Sequence, residues 1–158
     1  NGSWVADLMR HRRAPSSEDL TVLLPRHEVV RQATRTTRVA SNGKRAFVLW
    51  VYKNQTTGQY LVNIVVLHKN GYSQNVSGDL KIQTNSNDGV SLNIIESKEV
   101  VMNGKKVTIA MFEIDKRSFN ILKNHTLKAI FFEMNGKIFG SSVTENKSLF
   151  MNQLQCLE

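Results

Sequence analysis

Cysteine is all but missing from this chain: Cys156 is the only one in 158 residues. An intramolecular disulfide, a thiolate zinc centre and an iron–sulfur cluster are thereby excluded, because each needs two or more cysteines. Cys156 itself reads as a small apolar residue near the C-terminal end. Glycine-rich phosphate loops are also absent, since the nine glycines occur singly, mostly where turns are expected. Hydrophobic runs are short: AFVLWVY (Ala46 to Tyr52) has the length of a strand, well under the roughly 18 residues that cross a bilayer. The opening stretch NGSWVADLMRHRRAP shows no apolar core of a secretory leader. Acidic residues are outnumbered, 13 against 21 Lys and Arg, for a formal charge of +8.

That charge is unevenly made. Residues 1–45 hold eight Arg and Lys44 against four acids, whereas residues 46–158 hold eleven Lys and Arg117 against nine acids. The change from arginine to lysine divides an Arg-rich N-terminal arm (1–40) from a β-rich domain (41–158). Within the arm, Trp4 to Met9 is compatible with a short helix. AlaProSerSerGluAspLeu is a loop by composition, and ThrValLeuLeuPro is a short extended segment. Arg26, Arg31, Arg35, Arg38 and Arg45 are the candidate partner-binding residues. They suit an acidic protein surface or a second subunit; the alternative is a basic nucleic-acid-binding accessory domain with the same residues on phosphates. Glu18, Asp19 and Glu28 interrupt the basic run, and ArgThrThrArgVal reads better as an edge strand than as a helix.

From Lys44 onward, strand-length apolar blocks alternate with turns. RAFVLWVYK is apolar on both faces, the mark of a central strand covered twice. AsnGlnThrThrGlyGln turns the chain into YLVNIVVLH as a hairpin partner. Asp79 to Gln83 is a weaker strand before the turn AsnSerAsnAspGly, and Val90 to Ile95 follows with Val90, Leu92 and Ile94 sharing one face. Asn103-Gly104 and Asn135-Gly136 mark two further hairpins. A short helix is expected over Asp115 to Lys123 with Asp115 as N-cap and Phe119 and Leu122 on one side. A second is expected over Asn146 to Leu157, with Leu149, Phe150, Gln153 and Leu154 as its apolar stripe. The fold class is all-β and mainly antiparallel: a sandwich or open barrel of about seven to eight strands with two short helices.

Chemistry is hard to find. His11, His27, His68 and His125 are scattered, and HEVV (His27 to Val30) has Arg31 where a zinc-protease helix needs its second histidine. Glu113 and Asp115 read as exposed acids beside Lys116 and Arg117. AsnSerAsnAspGly lacks the downstream acid of a calcium loop. No catalytic residue, metal site or cofactor is assigned, and an unrecognised hydrolase is only a residual class. Five Asn-x-Ser/Thr sequons begin at Asn1, Asn54, Asn75, Asn124 and Asn146, most of them at expected turns or helix starts.

The C-terminal stretch combines RSFNILK, TLKAIFFEMNGK, IFGSSV and SLFMNQLQCL. In this it resembles the ending of invasion-associated locus B-type bacterial envelope proteins, over about 40 residues. The resemblance implies a periplasmic or secreted, non-enzymatic β domain, and it carries over no functional residue. The expectation is therefore a noncatalytic domain of the bacterial envelope or exterior. Its partner would be a protein or a further copy of itself, met through the arm or by strand addition at a sheet edge.

Overall fold

Alternation of apolar side chains on both faces of RAFVLWVYK requires cover on each side, and the structure places it inside the larger sheet with strands paired on both of its edges. It is a computed structural model and describes residues 31–32, 37–41, 45–54, 57–68, 75–102 and 105–157. The strands are β1 (Arg31–Gln32), β2 (Thr37–Ser41), β3 (Arg45–Lys53), β4 (Tyr60–His68), β5 (Val76–Thr84), β6 (Gly89–Leu92), β7 (Ile94–Met102), β8 (Lys105–Ile114), β9 (Leu127–Met134) and β10 (Lys137–Ser142). The helices are α1 (Lys116–Asn124) and α2 (Leu149–Leu157). One sheet follows the order β3-β4-β8-β7, with β1 and β2 both pairing with the outer side of β3 to make six strands; the other has four, in the order β10-β9-β5-β6. Every pairing is antiparallel. The all-β expectation holds, as a sandwich-like pair of sheets and not a closed barrel.

Hairpins build each sheet from within. β3 and β4 pair in continuous register from Arg45↔His68 to Lys53↔Tyr60. The turn joining them closes as Gly58 N–H donates to the Asn54 carbonyl at 2.8 Å. The expected strand at Asp79 to Gln83 is longer than its composition indicated, spanning Val76–Thr84. The stretch Val90 to Ile95 is not one strand. β6 belongs to the small sheet and β7 to the large one, and the chain changes sheets at Asn93, whose carbonyl accepts from Glu113 N–H at 2.9 Å. A register shift between Ile94 and Glu96 follows, the kind of irregularity that bends a strand across a sandwich corner. Asn103-Gly104 lies outside the described residues, but Met102 pairs with Lys105 across it. At the other hairpin Asn135 and Gly136 have φ of 52° and 73°, which is the backbone that a twisted two-residue turn requires.

Between the sheets lies one core. It takes Leu49, Val51, Val62, Ile64, Val66, Ala110 and Phe112 from the large sheet, and Leu80, Ile82, Ile130 and Phe132 from the small one. β5 touches β7 and β8 and β6 touches β8, while α2 touches β3 and α1 touches α2 and β6. The second sheet therefore packs against the β8–β7 side of the large sheet, and α2 packs against β3 with α1 beside it. Helix α1 starts where expected: Asp115 is its N-cap and Leu122 is buried. Helix α2 buries Leu149, Phe150, Gln153, Leu154 and Leu157. It begins three residues after Asn146, which turns the chain with φ 53° and accepts from Leu149 N–H at 3.0 Å. Cys156 is exposed on α2, not packed.

Candidate functional site

The opposite face of the large sheet is also closed. Tyr52, Leu61, Asn63, Val65, Ile109 and Met111 are all buried there, outside the core cluster. Among them the Tyr52 hydroxyl donates to Asn63 Oδ1 at 2.9 Å, and Asn63 Nδ2 finds no hydrogen-bond partner. Burial pushes the Tyr52 phenol far above its ordinary range, against the smaller opposing effect of the bond to Asn63. The pair is polar, enclosed and uncharged, and it supplies no base or nucleophile at neutral pH.

An open groove of about 690 Å³ lies between the β3–β4 turn and the start of α1, walled by Thr57 to Tyr60, Glu113 to Lys116 and Phe119. Its two rings, Tyr60 and Phe119, meet at 4.5 Å between centroids with a 43° tilt. Lys53 Nζ sits 5.2 Å from the Tyr60 centroid and Lys123 Nζ sits 5.8 Å from that of Phe119, so each ring already has a cation of its own. Glu113 and Asp115 do not act as a carboxylate pair. Strand β8 ends at Ile114, and Asp115 Oδ1 accepts from Ser118 N–H at 2.9 Å. Hydrogen bonding by the Ser118 side chain, and then by its backbone N–H, holds the Asp115 carboxyl below the usual range. Among the described residues, no three His, Cys, Asp or Glu side chains come close enough to hold a metal ion.

The arginines expected at a partner site fall as follows. Arg26 and Arg35 lie outside the described residues. In backbone register Arg31 stands opposite Lys53, Arg38 opposite Val48 and Arg45 opposite His68. These positions are strung along the length of β3, a span of about 26 Å at the rise of a strand, and do not converge. Residues 37–41 are the edge strand that ArgThrThrArgVal promised.

The sheet edges differ more than the grooves do. Edge strands need protection by charge, bulge, brevity or cover, because their unpaired backbone groups are templates for another strand. β7 has a bulge, carries Glu96, Lys98 and Glu99, and is crossed at Ser97, whose hydroxyl accepts from Val76 N–H at 2.8 Å. β6 is only four residues long. Among the described residues β10 has neither bulge nor cover: its register on β9 runs unbroken from Lys137↔Met134 to Ser142↔Ala129. Its sequence KIFGSS has one charge, at the first position, and no proline. Ile138 on it is 78% exposed, the single large hydrophobic side chain so exposed among the described residues.

The ladder fixes which β10 groups are free. Val143 N–H donates to the Lys128 carbonyl at 2.9 Å. Bonding to β9 therefore falls on Ser141, Phe139 and Lys137, and the alternate residues Ser142, Gly140 and Ile138 turn their N–H and C=O outward. The Ser142 carbonyl accepts from Ser141 Oγ at 3.1 Å and keeps its second lone pair. Sequence reading placed this strand but passed over its exposed isoleucine. The available signal was an apolar residue at an outward position of a strand with a single charge. No protein family, curated protein or solved structure matches the chain.

Proposed function

We propose that this chain is a noncatalytic β domain that works through protein–protein contact, docking by strand addition at β10. The observation that carries the reading is the unguarded edge: three outward backbone positions, Ile138, Gly140 and Ser142, on a strand with Ile138 78% exposed. An extended partner segment gains main-chain hydrogen bonds from such an edge and specificity from the side chains beside it. The setting, at a bacterial envelope or in the secreted fraction, is proposed from the likeness of the C-terminal stretch to invasion-associated locus B-type proteins.

Selection from a displayed random-peptide library tests the docking mode. The full chain at high dilution is expected to select extended peptides whose binding falls about tenfold or more in Ile138→Pro, a loss of about 1.4 kcal/mol or more. Proline there removes an outward N–H and leaves the β9 ladder intact. If no selected peptide depends on that position, the edge is not a docking site.

A further inference from the structure

The outward set on β10 is symmetric about its middle member. Ile138 and Ser142 lie two residues either side of Gly140, and no charge falls between Ile138 and Val143. An antiparallel copy of the same strand, related by a two-fold axis at Gly140, sets Gly140 against Gly140 and Ile138 against Ser142. Each of these pairs exchanges both backbone hydrogen bonds, and Lys137 falls opposite Val143, so no like charges face each other.

Packing points the same way. Gly140 pairs with Phe131 on β9, and a Cβ at Gly140 would come within 2.3 Å of that ring. The half-buried Phe131 ring thus lies over the glycine. Across the two-fold axis, Ile138 of one chain is diagonal to Gly140 of the other and reaches the ring above it. The most exposed apolar side chain of the described residues gains an apolar neighbour, and only a residue without a side chain at position 140 leaves room for it. We infer that the strand added at β10 is β10 of a second copy, joining two small sheets into one continuous sheet through an isologous contact. This rests on the docking reading above and names its partner.

Sedimentation of the full chain over a wide concentration range tests it, together with NMR on a mixture of differently labelled chains. The expected result is a monomer–dimer equilibrium with an intermolecular contact between the Ile138 methyl groups and the Phe131 ring. Ile138→Pro is expected to abolish dimerisation with its circular dichroism unchanged. Should that variant fold poorly, Ile138→Lys keeps the backbone and places a charge in the apolar strip, weakening the dimer about tenfold or more. A chain that stays monomeric at every concentration overturns the inference, as does a dimer that survives both substitutions or lacks the intermolecular contact. Peptides that still select β10 in a monomeric chain would overturn self-pairing alone and leave the docking reading standing.

Discussion

Two side chains show how single residues carry the local structure. Asp115 ends β8 and begins α1 by accepting Ser118 N–H, one of the donors that a helix start leaves without a partner. Asp115→Ala is expected to cost about 1 kcal/mol by chemical denaturation, and Asp115→Asn only a few tenths. Its carboxyl is held below the ordinary value by the Ser118 side chain and then by that bond, so its contribution is present above the usual carboxylate range and declines as pH falls through it. The exposure of Asp115 keeps this pH effect small. Tyr52 runs in the other direction. Its folded phenol stays neutral while the unfolded one ionises near about 10, so stability falls as pH rises beyond that point, by up to about 1.4 kcal/mol per unit. Tyr52→Phe is expected to cost about 1–3 kcal/mol at neutral pH, because Asn63 then loses its one partner. The gap from wild type narrows above pH 10, and a gap independent of pH would show that the phenol is not held neutral. Tyr52→Phe combined with Asn63→Leu should cost less than the two single changes together.

At the scale of elements, the β9–β10 hairpin is specified by a few positions. Asn135 and Gly136 supply the positive φ of its turn. Gly140 gives way to Phe131, a ring-over-glycine arrangement that pins register on a sheet face. Gly140→Val is expected to displace Phe131 and cost about 1–3 kcal/mol in thermal or chemical unfolding. The same substitution should cost clearly less in a Phe131→Ala background. Equal costs in both backgrounds would show that the ring does not occupy that space. The corner at Asn93 is the counter-example, an element that pattern reading misjudged. Val90, Leu92 and Ile94 keep their alternation through the change of sheet, since both sheets face the same core. A period of two cannot reveal which sheet a residue has joined.

For the molecule as a whole, the strands, tight turns and helix caps were legible because each is written in neighbouring residues. Asp115 with Phe119 and Leu122, or Asn135-Gly136 between two apolar blocks, needs no distant partner to be read. Strand order is not local, and with it went the candidate site. Nothing in KIFGSS states that β9 covers one side of it and that no strand of the described residues takes the other. The arginines drew attention through composition, whereas the fold strings the described ones along β3. Asn63 was passed over inside YLVNIVVLH because its partner, Tyr52, is eleven residues away on the next strand. The proposed docking rests on which edge the described strands leave open, a property of the assembled sheets.

Residue-resolved amide exchange of the full chain at rising concentration tests this most directly. The N–H groups of Ile138, Gly140 and Ser142 are expected to slow together, about fivefold once the total concentration stands about ten times above the dissociation constant. Phe139 and Ser141, already bonded to β9, should keep their rates. Fast exchange at all three outward positions at every concentration, persisting even with a selected peptide in excess, would contradict the account.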